Sequence, residues 1–161
     1  MRMVFKNAQE VFEFYYNEIS KNGIDFDNTK VLFNQGFSIL NPLDNSINTE
    51  YRKWNPTYAS REWNWYLSGN PNAKEISTYA PIWKKMMDEK GNVRSNYGWQ
   101  WKRNNQLDKV ISILKENNNT RQAAISIYDG KEIDTYSKDT PCTYAVQFTI
   151  LNNKLDMSVL M

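Results

Sequence analysis

Apart from one strand-like run at Thr29 to Leu40, apolar residues along this chain repeat with a helical period up to about Asn119 and with a strand period after it. Ala8, Val11, Phe12, Tyr15 and Ile19 recur every three or four residues, and Asn22-Gly23 closes that helix. The run TKVLFNQGFSIL (Thr29 to Leu40) reads as a strand with an irregularity at Gly36, ended by Asn41-Pro42. Asn55-Pro56 predicts an N-cap with proline in the first turn of a helix that runs to about Leu67 and stops at Ser68-Gly69. Pro81 opens a short helix through IWKKMMDEK, capped by Gly91. A further amphipathic helix begins near Asn104, with Leu107, Val110, Ile111 and Leu114 on one face. After the polar ENNNT come a strand AAISIY, a loop to Pro141, and two strands (Thr143–Leu151 and Lys154–Met161) joined by Asn152-Asn153. The pattern holds no repeat and no linker, which predicts one α+β domain over residues 1–161, with these strands in one sheet. The last ten residues, NNKLDMSVLM, are strand-like with no polar tail, so we expect a chain shorter than the unit it derives from.

Composition narrows the class. With 40% hydrophobic and 24% charged residues in 161, the chain can bury a core and is not a disordered segment. A net charge of +2 gives no argument for nucleic acid. No run of about eighteen apolar residues spans a membrane, and MRMVFKNAQEVFEFYYNEI has acids where a secretion signal needs an apolar stretch. A single cysteine cannot form an internal disulfide, which fits a reducing cytoplasm. The absence of histidine matters more. It removes histidine triads, Cys–His dyads and imidazole zinc sites, and no metal is expected.

Chemistry therefore falls to Cys, Glu, Asp, Tyr, Lys or Arg. All six tryptophans lie between Trp54 and Trp101, interleaved with tyrosines, as either a thick aromatic core or a wall that stacks flat heterocycles. Glu62 shares a helical face with Ala59, Trp63 and Tyr66. A carboxyl among rings is easier to protonate, which suits proton transfer, although an ion pair with Arg61 or Arg52 would also explain it. NVRSNYGWQW reads as a loop whose glycine lets backbone near Tyr97 approach a ligand. Arg121, just before a strand, either forks onto a phosphate or is a surface arginine. Cys142, between a proline and an apolar strand, is either a small buried hydrophobe or a nucleophile.

Taken jointly, four segments resemble the thymidylate synthase family, which includes the phage pyrimidine hydroxymethylases. REWNWYLSG is similar to the helix carrying the family's catalytic glutamate and gives Glu62. PIWKKMMDEKGNVRSNYGWQW is similar to the tryptophan helix and tyrosine loop and gives Trp83 and Tyr97. NNQLDKVISILKENNNTRQAAISIY is similar to the phosphate-arginine segment and gives Arg121. TPCTYAVQFTILNNKLDMSVLM is similar to the nucleophile strand and gives Cys142 and Gln147. The resemblance runs from about Glu62 to Met161 and is weak before it.

The resemblance implies a mixed sheet covered by helices on one side and a homodimer in which Arg121 serves the neighbouring subunit. It implies transfer of a one-carbon unit from methylenetetrahydrofolate to C5 of a pyrimidine deoxynucleotide monophosphate, led by dUMP to dTMP. Cys142, Glu62 and Tyr97 would be catalytic, Arg121 and Gln147 would bind nucleotide, and Trp83 would pack against pterin or pyrimidine. The alternatives are hydroxymethyl transfer to dCMP or dUMP, and a non-catalytic nucleotide-binding fragment. Several features depart from the family pattern. The N-terminal phosphate arginine has no counterpart near FDNTKVLF, Arg121-Gln122 stands where the family pairs two arginines, and Thr143 stands where ordinary thymidylate synthases carry histidine. The family's Arg-Ser-x-Asp, base-selecting and His-x-Tyr motifs fall beyond Met161. We therefore expect little turnover from the 161-residue chain alone, in the cytoplasm of a bacterium or phage-infected host.

Overall fold

The computed structural model describes residues 3–136 and 138–161. They group into two compact units, Met1–Asn55 and Pro56–Met161.

In the first unit, β1 (Met3–Phe5) pairs in parallel with β4 (Phe37–Ile39), while β2 (Ile24–Phe26) and β3 (Thr29–Val31) form an antiparallel hairpin. Between β1 and β2 lies α1 (Ala8–Asn22). Its N-cap Asn7 accepts the N–H of Glu10 at 3.1 Å, and its last turn closes when the Gly23 N–H donates to Ile19 O. Phe5, Phe14, Tyr15 and Phe37 pack ring against ring with centroids 5.2–6.2 Å apart, so α1 is fastened to β1 and β4 by aromatic contact. The expected strand Thr29–Leu40 is here two short strands in two different sheets, and neither joins the C-terminal sheet. The cause is local. Asn34 adopts a left-handed φ of 56°, which breaks the extended run before Gly36 and turns Phe37–Ile39 towards β1.

The second unit begins with α2 (Pro56–Ser68), which ends as expected at Gly69, a residue with φ of +67° whose N–H donates to Tyr66 O. The next helix, α3, covers only Ile82–Met86. It stops short of the expected Gly91 because the Asp88 carboxylate accepts the N–H groups of Asn92 and Lys90, both at 2.9 Å, and folds the chain into a turn. Those N–H groups, that of Asn92 foremost, hold the Asp88 carboxyl below the usual carboxylate range. Then come α4 (Tyr97–Lys102) and, after two left-handed residues at Asn104 and Asn105, α5 (Gln106–Glu116).

The Tyr97 segment is thus a helix and not the expected loop. Asn96 caps it, accepting the Trp99 N–H at 2.7 Å, and Tyr97 and Trp101 stack one turn apart with centroids at 6.3 Å. Gly98 is buried where α4 crosses the end of α2, and a Cβ there would overlap the Tyr66 carbonyl. Only glycine permits that crossing.

Three antiparallel strands complete the unit in the order β5 (Ala124–Ser126), β6 (Ala145–Leu151), β7 (Lys154–Leu160). Asn152 and Asn153, with φ of 51° and 59°, make the two-residue turn between the last two. Val110 of α5 packs on Ala123, Ile125, Ile127 and Val146, with Leu107, Leu114, Tyr97, Trp101 and Phe148 around them. Helices therefore cover one face of this sheet. A second cluster of Ala73, Ile76 and Val93 carries Tyr58, Trp65, Trp83, Met86 and Met87. Helices and sheets of both pairing senses give an α+β fold.

Candidate active site

Cys142 is exposed, not a buried spectator. It follows the buried Pro141 and precedes the buried Thr143, so its neighbours anchor the loop while the thiol faces solvent. Two hydrogen bonds hold this loop to the start of α4. The Cys142 N–H donates to Tyr97 Oη at 3.2 Å, and the Ser95 N–H donates to the Asp139 carboxylate at 2.6 Å. Tyr97 is in place because Asn96 caps its helix and Gly98 lets that helix lie against α2.

Glu62 sits on α2 one turn after Tyr58, whose hydroxyl donates to Glu62 Oε1 at 2.6 Å. The Trp83 indole N–H donates to the same Tyr58 oxygen at 2.8 Å. Arg61 does not pair with Glu62; its guanidinium lies 4.1 Å over the Tyr79 ring. The two groups meet at Tyr66, one turn beyond Glu62. Its ring stands edge-on to Tyr97 at 5.9 Å. Burial first, then the negative charge of Glu62 and the neighbouring Tyr58, Tyr97 and Asp139, push the Tyr66 hydroxyl far above the ordinary tyrosine range. The order across the site is therefore Trp83, Tyr58, Glu62, Tyr66, Tyr97, Cys142.

Arg121 and Gln147 form a separate pair, both exposed, in which the Gln147 side-chain amide donates to Arg121 O at 3.4 Å. Among the described residues no hydrogen bond or ion pair links this pair to Cys142 or Tyr97. Sequence reasoning passed over Tyr58 and Asp139. The spacing of Tyr58 and Glu62, four apart on a helix, was a usable signal for the first; Asp139 had none, because its partner is 44 residues away. Among the described residues no three Cys, Asp or Glu side chains gather as a metal site, and no helix is long and apolar enough to cross a membrane.

A flat indole whose N–H is already bonded can offer a ligand its face but not its edge. Trp83 is such a ring, half-buried and packed edge-to-face on Trp65 at 5.1 Å. The residues present thus fit stacking by a planar heterocycle.

Comparison with known proteins gives the same family. The chain is 34% identical over 114 residues to the deoxycytidylate 5-hydroxymethyltransferase of Enterobacteria phage T4, covering 65% of this chain and 46% of that protein. It is 30% identical over 158 residues to the thymidylate synthase of Wigglesworthia glossinidia brevipalpis, covering 89% of this chain and 59% of that one. A deoxyuridylate hydroxymethyltransferase of Pseudomonas phage M6 is 27% identical over 125 residues, covering 74% of this chain and 36% of that protein. The chain thus spans roughly half the length of the curated relatives it matches. In fold it superposes on thermostable thymidylate synthase A from Bacillus subtilis with a TM-score of 0.64 at 19% identity, over 94% of this chain and 63% of that one. The family model described as Thymidylate synthase matches residues 18–161, so the chain belongs to the thymidylate synthase family.

Proposed function

We propose that this chain carries the nucleophile and proton-relay portion of a site that transfers a one-carbon unit to C5 of a pyrimidine deoxynucleotide monophosphate. The observation that carries the proposal is the exposed Cys142, held by its backbone to Tyr97. A pyrimidine C5 is a poor nucleophile. Addition of the Cys142 thiolate at C6 forms a C–S bond and moves the ring electrons onto an enolate or enamine, which makes C5 able to attack carbon. Tyr97, whose hydroxyl accepts the Cys142 backbone N–H, would sit beside C5, where a proton must leave in a later step. Glu62 would relay protons to the base through water. Arg121 and Gln147 would meet the nucleotide, the guanidinium serving its phosphate. Trp83 would hold methylenetetrahydrofolate by its ring face; that cofactor supplies the one-carbon unit when bound.

Hydroxymethyl transfer is the product favoured here, because Thr143 follows the cysteine and several relatives are hydroxymethyltransferases. Methyl transfer from dUMP to dTMP is the second reading, supported by the thymidylate synthase relative. The family match crosses residue 55, which supports reading both units as one domain. The reading also keeps the homodimer that the family resemblance implies.

Two measurements test the reaction. Saturating dUMP or dCMP should slow alkylation of Cys142 by iodoacetamide. With methylenetetrahydrofolate, whatever tritium is released from the C5-labelled nucleotide should be abolished by Cys142→Ser, and mass spectrometry of the product separates methyl from hydroxymethyl. Alkylation indifferent to both nucleotides, or release that persists in Cys142→Ser, would overturn the proposal.

A further inference from the structure

We propose that Tyr58 is a positioning residue that couples the cofactor-stacking ring Trp83 to the proton-relay carboxylate Glu62. This rests on the roles proposed above for those two residues and adds a link between them. Elementary donor chemistry fixes the direction of the link. An indole N–H can only donate, so the Tyr58 oxygen must accept from Trp83. A phenol has one proton, and with the oxygen already accepting from Trp83 that proton goes to Glu62 Oε1, 2.6 Å away. The hydroxyl rotor is thereby locked from one side by Trp83 and from the other by Glu62. Burial, then the bond to Glu62, push the Tyr58 hydroxyl up to about 12, so it stays a donor through the whole neutral range.

The arrangement has a functional consequence. Tyr58 and Glu62 lie on one helix, but Trp83 comes from α3, 25 residues on. A flat ring lying on the indole steadies Trp83. Through the Tyr58 oxygen it also steadies the carboxylate that must present its other oxygen to water. Among the described residues no hydrogen bond reaches Glu62 Oε2, which leaves that oxygen for the relay. Cofactor occupancy and proton transfer are then linked through one phenol.

The test uses the full chain labelled with 15N-indole tryptophan and 13C-carboxyl glutamate. Trp83→Phe should shift the Glu62 carboxyl resonance, identified by its loss in Glu62→Gln, and should shift it only while Tyr58 is present. Tyr58→Phe should in turn move the Trp83 indole resonance. A Glu62 resonance that ignores Trp83→Phe overturns the proposal, with or without turnover. In tritium release with methylenetetrahydrofolate and C5-labelled dCMP or dUMP, Tyr58→Phe should lower kcat about tenfold with the nucleotide KM unchanged, and should add nothing in a Glu62→Gln background. If Glu62→Gln lowers kcat while Tyr58→Phe does not, the coupling is rejected and the site reading stands. If Glu62→Gln itself keeps full kcat, the role assigned to Glu62 fails and the coupling falls with it.

Discussion

Gly98→Ala sets two rules against each other. Alanine is the better helix former by about 1 kcal/mol, so propensity alone makes the substitution in α4 stabilising. The packing says the reverse. A Cβ on Gly98 would overlap the carbonyl carbon and oxygen of Tyr66 and approach Tyr66 Cα to 2.7 Å, where ordinary contact begins at 3.4 Å. Even the least crowded of these atoms is about 0.7 Å too close, and all three belong to the α2 backbone, which has no rotamer to change. The helices must separate. Overpacking of a built core costs about 1–3 kcal/mol even when side chains can yield; here we take about 3 kcal/mol, leaving a net loss of about 2 kcal/mol after the propensity gain. With a urea slope of about 2 kcal/mol/M, the unfolding midpoint should fall by about 1 M. The same separation carries Tyr97 away from the Cys142 N–H, so iodoacetamide should alkylate Cys142 at a changed rate in the folded variant. Urea titration by circular dichroism and timed alkylation measure both. A midpoint equal to or above that of the parent chain would refute the account of how α4 is seated.

Three further outcomes follow from the same geometry. Asp139→Asn weakens the charge-assisted bond to the Ser95 N–H, so it should cost about 1–2 kcal/mol in urea and speed hydrogen exchange at the Ser95 and Cys142 amides, read by mass spectrometry. The Tyr58 hydroxyl, raised from the ordinary value of 10.0 to about 12, contributes stability fully present below pH 10. Between these values the unfolded chain ionises first, so that stability is lost as pH rises towards 12. The fall in urea midpoint from pH 8 to pH 11 should therefore be smaller in Tyr58→Phe than in the parent. Light scattering at tens of micromolar should give the mass of two chains, and a clean monomer would count against the homodimer.

The features legible in the sequence are those whose partners lie within one turn or one hairpin. Asn55-Pro56 and Ser68-Gly69 bound α2, Asn22-Gly23 closes α1, and Asn152-Asn153 turns β6 into β7, because caps and tight turns are decided by a few consecutive φ, ψ angles. The alternation in Thr143–Leu151 likewise reports a one-sided core that α5 covers with Val110 and Leu107. The family motifs named Glu62, Trp83, Tyr97, Arg121, Gln147 and Cys142, but not which of them touch.

The rest needed the folded chain. Thr29–Leu40 has the composition of one strand, yet its pairing energy depends on which neighbours are present, and β1 and β2 take its two ends. Tyr97 reads as part of a Gly-containing loop until Asn96 caps it and α2 lies against Gly98, a contact between residues 32 apart in the chain. The sequence by itself singled out Cys142 and Glu62 as candidates and placed most helix ends, since each is a matter of residue type or local geometry. Only the tertiary structure decided that Tyr58 stands between Trp83 and Glu62 and that Asp139 and Tyr97 hold the Cys142 loop, because those bonds close over 25 to 45 residues and exist only once separate elements have packed.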